Sequence, residues 1–189
     1  MEQHLWPDLD GAAARNACNV ALHRLRRLLD DEQAVLLYEG HLSLNPQRVW
    51  TDVGSFVRQA DRAGAAGADG AHSVLAVYKG HLLPEAEALW AQAPRERLRS
   101  RLLRVCSAQL NRLEQAAQYE PAVDLCRRVI EIDAVAEAFH QGLMRCLLAL
   151  GRRAEAMDAW RRCSEQLYQA LGTRPSALTR ALRERIEAG

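Results

Sequence analysis

The sequence predicts a mainly α-helical protein that carries one short β-hairpin. Leucine, alanine, arginine and glutamate are abundant in the 189 residues and aromatics make up only 5%, a composition that favours helices. Most of the chain follows the apolar period of amphipathic helices, whereas one stretch near the beginning has two extended segments around a glycine. With 49% hydrophobic residues, the chain can bury the core of one or two domains.

The first predicted helix covers residues 12–29, AAARNACNVALHRLRRLL. Asp10 suits the N-cap, and Pro7 separates this helix from what precedes it. At about 100° per residue, two opposite faces emerge. The apolar face contains Ala14, Ala17, Cys18, Ala21, Leu22, Leu25, Leu28 and Leu29. The polar face contains Arg15, Asn16, Asn19, His23, Arg26 and Arg27.

A β-hairpin is predicted directly after this helix. Residues 34–38 and 41–45 are extended segments, and Glu39-Gly40 forms the turn between them. A basic helix followed by a hairpin is the order of a winged helix-turn-helix, whose helix enters the major groove of DNA. The alternative is a solvated surface helix of an all-α protein, and the helix alone leaves both interpretations open.

In the winged-helix interpretation, the first half of the helix reads bases and the second half holds phosphates. Arginine can bind guanine and asparagine can bind adenine through paired hydrogen bonds. Base contacts are therefore predicted for Arg15, Asn16, Asn19, Val20 and His23, and phosphate contacts for Arg24, Arg26 and Arg27. His41, on the hairpin, completes the predicted DNA-binding set.

Positive charge is local in this chain. The net charge is only +1, so no global field attracts nucleic acid. Residues 11–29 nevertheless carry four arginines and no acid, and Asp30, Asp31 and Glu32 follow at once. Any affinity for DNA must therefore come from one surface.

After the hairpin, the pattern predicts a short amphipathic helix over 52–63 and a glycine-rich surface loop over 63–70. Beyond the loop, residues 120–131 and 154–165 align at an offset of 34 residues (154 − 120). Thirty-four is the tetratricopeptide period, in which Ala122 and Ala156 permit close packing of two helices. Partner helices are predicted over 95–117 and 134–150 with a turn at Gly151, and a last helix over 175–187 with Pro175 in its first turn.

Other features favour structural roles. The arginine run 95–101 is interleaved with Glu96, which is typical of a solvated face with local ion pairs. The five cysteines lack metal-ligand spacing and suit buried positions, and His81 and His140 suit turn and core positions. We expect no enzyme activity, no cofactor and no metal. No signal peptide or membrane span is recognisable, so we expect a cytoplasmic protein with no membrane partner.

Several motifs carry a family resemblance. They are residues 5–8 (LWPD), 24–29 (RLRRLL), the Gly40 hairpin, 78–83 (YKGHLL), 95–99 (RERLR), 143–145 (LMR), 149–156 (ALGRRAEA) and 171–176 (LGTRPS). Together they resemble bacterial transcriptional regulators of the antibiotic-regulatory type. These join an OmpR-like winged helix to a bacterial transcriptional activator domain. The resemblance implies a sequence-specific activator whose repeats contact RNA polymerase or an attached regulatory domain.

Two departures from that family pattern affect the expected DNA-binding part. Family members have a β-sheet and a helix before the LWPD corner, so we expect this chain to hold only the C-terminal part of the winged helix and to expose leucines on its first helix. Glu39 at the wing turn and the non-aromatic His41 predict a weaker wing contact, or a wing that serves a domain interface.

The sequence therefore predicts a partial winged helix over 1–50 and a tetratricopeptide-like activator domain over 51–189. The first functional hypothesis is a transcriptional regulator, an expected activator, that binds double-stranded promoter DNA and contacts RNA polymerase or another regulatory domain. The alternative is a helical scaffold for protein–protein interaction that no longer binds DNA, as a C-terminal piece of a larger signalling regulator. Homo-oligomerisation stays open in both.

Overall fold

A computed structural model describes residues 8–38, 40–66, 70–85 and 87–188. Within these ranges it contains eight α-helices and one antiparallel hairpin, which confirms the predicted mainly helical fold class. The elements are α1 (Gly11–Leu29), β1 (Val35–Tyr38), β2 (His41–Leu44), α2 (Asp52–Ala66), α3 (Gly70–Val77), α4 (Leu89–Gln115), α5 (Tyr119–Ile132), α6 (Glu137–Ala149), α7 (Arg153–Leu171) and α8 (Ala177–Ala188). The chain divides into two compact units, Met1–Gly54 and Ser55–Gly189.

The first unit combines α1 with the hairpin. Asp10 caps α1 as predicted, since its carboxylate accepts hydrogen bonds from the amides of Ala12 (3.1 Å) and Ala13 (2.8 Å). The strands pair in register from Val35 opposite Leu44 to Tyr38 opposite His41. A small core forms where α1 meets the hairpin and contains Leu22, Ala34 and Val35, with Leu42 and Val49 packed against it.

The second unit is a stack of helices in which α4 packs on α5, α5 on α6, α6 on α7, and α8 on both α6 and α7. Ala122 and Ala156, the small residues of the 34-residue repeat, are both completely buried. Gly142 also permits close packing, because a Cβ there would lie 2.6 Å from Cδ2 of Leu110 and 3.2 Å from Sγ of Cys126. The repeat in the sequence thus corresponds to a repeat in helix packing.

The predicted loop over 63–70 is wrong for most of its length. Helix α2 continues to Ala66 and α3 begins at Gly70, so only 67–69 lie outside the described residues. Alanine favours helix extension, and Gly70 lets α3 approach Ala63 so closely that a Cβ would clash there. Gly70 therefore serves close packing of α3 on α2.

Three helix ends differ from the prediction. Helix α4 begins at Leu89, before Pro94, because the buried Ala91 anchors its first turn. Helix α6 begins at Glu137, since a turn in which the amide of Ala136 donates to the carbonyl of Asp133 (3.0 Å) precedes it. Pro175 lies before α8 rather than in its first turn.

The arginine run of α4 makes tertiary contacts that the predicted solvated face did not include. Arg99 Nε donates to the Asp133 carboxylate at 2.7 Å, and the Asp133 side chain is only 1% exposed. That hydrogen bond raises the pKa of Arg99. Arg101 pairs with Asp61 on α2. The pair between Arg99 and Glu96, at 3.7 Å, is local to the helix.

The buried histidine and cysteines have structural surroundings. His140 is 2% exposed, its Nε2 lies 2.9 Å from the Ala134 carbonyl oxygen, and burial lowers its pKa. Burial raises the pKa of Cys106 to about 12 and that of Cys146 to about 11. These thiols are thus protonated at neutral pH, which fits their predicted role as small core residues.

Candidate DNA interface

Helix α1 presents a stripe of polar residues to solvent. The stripe comprises Asn16, Asn19, His23 and Arg27, all of which are exposed. Their spacing of three, four and four residues keeps them on one side of the helix. At 1.5 Å rise per residue, the stripe is about 16 Å long, which suits a helix seated in a major groove.

The side of α1 that packs on the hairpin explains why this stripe is free. Ala14 and Leu22 are the buried residues of the helix, and Leu22 contributes to the small core with Val35. Around the axis, Asn19 lies about 60° and His23 about 100° from Leu22, on the side away from the buried Ala14, and both side chains are exposed. Packing of Leu22 on the hairpin therefore turns the amide and imidazole groups outward.

The predicted phosphate-binding arginines occupy different environments. Arg24 and Arg27 are exposed, as is Arg15 near the start of the helix. Arg26 is half-buried, and its Nη2 donates to the carbonyl oxygen of Val35 at 2.8 Å, while its buried Nε has no partner among the described residues. Arg26 thus ties α1 to β1, and phosphate contact by Arg26 stays a prediction.

Sequence reasoning missed this role of Arg26, although a signal was present. Arg26 lies four residues after Leu22 and hence on the same side of the helix, close to the hairpin. An arginine on the buried side has backbone acceptors within reach at the end of a strand. The hydrophobic pattern treats the polar face as one surface, so it does not separate Arg26, at the edge nearest Leu22, from the residues that face solvent.

The apolar face of α1 is largely exposed among the described residues. Leu28 is 83% exposed, and Leu25 and Leu29 are also exposed, so burial on this face is limited to Ala14 and Leu22. This agrees with the expectation of exposed leucines. The LWPD corner that carries part of the family resemblance lies outside the described residues, except for Asp8.

The hairpin supports α1 and presents His41 at its turn end. His41 is exposed and pairs with Tyr38 across the two strands, whereas Glu39 lies outside the described residues. The hairpin is closed at its base, where the Asn45 amide donates to the Ala34 carbonyl at 2.8 Å. Arg48 lies 3.8 Å from the Asp31 carboxylate, which partly neutralises the acidic segment after α1.

The charge on α1 is unopposed at close range. No carboxylate of the described residues lies within 4 Å of a guanidinium of Arg15, Arg24, Arg26 or Arg27. None of the described helices is long and apolar enough to cross a membrane. The first unit thus offers an exposed helix with amides and cations, held from behind by a hairpin.

The second unit contains most of the residues that match a known protein family. The sequence profile described as bacterial transcriptional activator domain matches residues 51–187, which include every helix from α2 to α7 and most of α8. The chain belongs to the bacterial transcriptional activator domain family. This confirms the regulator family that the sequence motifs indicated. The family description is that of transcriptional regulators.

The fold of this activator-domain protein is similar to that of Mycobacterium tuberculosis EmbR, solved in complex with a low-affinity phosphopeptide. The alignment has a TM-score of 0.67 at 19% sequence identity and covers 98% of this chain and 52% of the EmbR chain. The chain therefore spans about half the length of EmbR. No curated protein sequence matches the chain significantly.

Proposed function

We propose that this activator-domain protein regulates transcription by binding promoter DNA through α1 while its helical repeats contact a protein partner. The observation that supports DNA binding most is the exposed stripe of α1, which contains two amides, an imidazole and a guanidinium but no carboxylate. In this proposal residues 1–50 are the C-terminal part of a winged helix and 51–189 form the activator domain. RNA polymerase and an attached regulatory domain are the partner classes proposed for the repeats.

Each polar residue of α1 has a proposed role. Arg15, Asn16 and Asn19 occupy the first half of the helix, and we assign base contacts to them and to His23. Arg24 and Arg27 are assigned to phosphates, where a cation adds affinity without sequence preference. His41 would meet the sugar–phosphate backbone from the hairpin.

The test begins by selecting sites from a pool of 30-base-pair duplexes with randomised centres. Binding of selected duplexes is then measured by fluorescence anisotropy at about 50 and about 200 mM salt, across which a phosphate-binding protein weakens strongly. Arg27→Ala should weaken binding to all selected duplexes and lower the salt slope by about one. Asn19→Ala should lower the preference for one base by about fivefold or more.

Arg97→Ala provides the matched control, because Arg97 is an exposed arginine on α4. It should leave affinity and salt slope unchanged. Exposed leucines on α1 favour a second candidate, a scaffold that grips a protein partner and binds no DNA. Absence of salt-sensitive binding to every duplex pool would contradict the DNA-binding proposal and leave the scaffold.

A further inference from the structure

A cleft between α7 and α8 combines an aromatic wall with arginines. Its cavity volume is about 520 Å³, and Trp160, Tyr168 and Arg183 are among the residues that line it. The Arg183 guanidinium stacks over the Trp160 ring, 4.5 Å from its centroid. A guanidinium stacked on an indole forms a flat, partly apolar surface against which another side chain can pack.

The loop between α7 and α8 contributes an arginine to this cleft. Gly172 ends α7 in the left-handed conformation with φ 64°, and Arg174, two residues further on, lines the cavity. Arg180, from α8, donates to the Pro175 carbonyl oxygen at 3.3 Å, which holds its guanidinium beside the loop. No carboxylate of the described residues lies within 4 Å of Arg174 or Arg180, so neither guanidinium has an ion-pair partner among those residues.

A further unpaired donor lies at the same cleft. The indole Nε1 of Trp160 is buried and has no acceptor among the described residues. The hydroxyls of Ser164 and Thr173 also line the cavity. A buried donor without a partner is uncommon in folded proteins, and it marks Trp160 as a residue whose surroundings should change when the cleft is occupied.

The cleft also contains carboxylates, which argues for a peptide over a nucleic acid. Glu184 and Glu187 line it, and Glu187 is engaged by Arg183 at 2.8 Å. A duplex presents phosphates in rows and would be repelled by these carboxylates. A short peptide can place one carboxylate at the arginines and an apolar side chain against the aromatic wall.

We propose that the α7–α8 cleft binds an acidic peptide segment of a partner protein. Its aspartate or glutamate carboxylate pairs with Arg174 and Arg180, and a neighbouring apolar side chain packs against Trp160 and Tyr168. This inference rests on the partner-contact part of the proposed function and names the class of partner. It is independent of DNA binding by α1.

The test uses the full chain and a bead library of random 12-residue peptides. Retained peptides should be enriched in aspartate or glutamate next to an apolar residue. Retained peptides are then resynthesised with a fluorescent label and measured by anisotropy. Arg174→Ala combined with Arg180→Ala should weaken binding about fivefold to tenfold, as expected for two exposed charge pairs. The Trp160 indole N–H resonance should shift on binding and be absent in Trp160→Phe.

Arg185→Ala is the matched control, because Arg185 is exposed on α8 and does not line the cleft. Arg174→Ala alone removes no hydrogen bond of the fold and serves if the double variant unfolds. No enrichment of acidic peptides, or equal binding by the Arg174 and Arg185 variants, would overturn the proposal. Loss of selected-duplex binding in the double variant would instead assign the cleft to nucleic acid. If the double variant loses peptide binding but keeps duplex binding, the peptide site is distinct from the DNA-binding surface proposed for α1.

Discussion

The pair formed by Arg99 and Asp133 should be a major source of stability for the helical unit. Arg99→Met removes the guanidinium 2.7 Å from a carboxylate whose side chain is 1% exposed. The carboxylate then stays buried without its partner, which typically costs about 3–5 kcal/mol. For a unit of this size, that loss should lower the melting temperature by about 10 °C or more.

Thermal and urea denaturation followed by circular dichroism measures this cost. Arg97→Met provides the control, since Arg97 is exposed on the same helix, and it should change the free energy of unfolding by less than about 0.5 kcal/mol. Combining Arg99→Met with Asp133→Leu removes both charges and should recover much of the loss. If Arg99→Met costs no more than Arg97→Met, the buried pair does not stabilise the fold and the reasoning is refuted.

Three further changes test other parts of the structure. Arg26→Ala should speed amide hydrogen exchange in the hairpin, because the contact from α1 to β1 is lost, whereas Arg24→Ala on the exposed side should not. Since burial lowers the pKa of His140, the unfolded chain binds the proton more readily, and the free energy of unfolding should fall as pH drops below about 6.5. His140→Gln should flatten that part of the pH profile, and an unchanged slope would contradict the assignment. Gly172→Ala should lower the free energy of unfolding by about 1 kcal/mol in urea denaturation, because the backbone at Gly172 has a positive φ. Gly80→Ala is the control, since an added Cβ would meet no atom within 4 Å at either glycine and Gly80 has no positive φ. This control should leave the free energy of unfolding unchanged or raise it slightly.

Local patterns predicted most elements of this fold but not α3, where a glycine-rich loop was expected. The cap at Asp10 and the glycine turn at Gly40 each depend on neighbours within one or two turns of chain. Such short-range rules specify where helices begin and which face packs. The helix and hairpin that make up the candidate interface were therefore predictable from residues 10–45.

Contacts between distant residues were not predictable in the same way. Arg99 and Asp133 are 34 positions apart, and nothing in the arginine run distinguishes the guanidinium that finds a buried carboxylate from those that face water. The cleft that contains Arg174 and Arg180 is a second example, because packing of α8 on α7 forms it. Hydrophobic periodicity predicts which face of a helix is buried. The residues that pack against that face depend on the tertiary arrangement.

The distribution of ion pairs is consistent with the proposed DNA-binding surface in a chain whose net charge is +1. In the helical unit, several arginines pair with carboxylates from other helices or their ends, as in Arg99–Asp133, Arg127–Glu155, Arg145–Glu114 and Arg152–Glu120. The arginines of α1 have no such carboxylate within 4 Å among the described residues. At physiological salt, fields decay within about 8 Å, so a duplex in contact with α1 is attracted by those arginines and hardly senses the neutral remainder. Long-range attraction to bulk DNA should then be weak, and binding should depend on the fit of the α1 stripe in the groove.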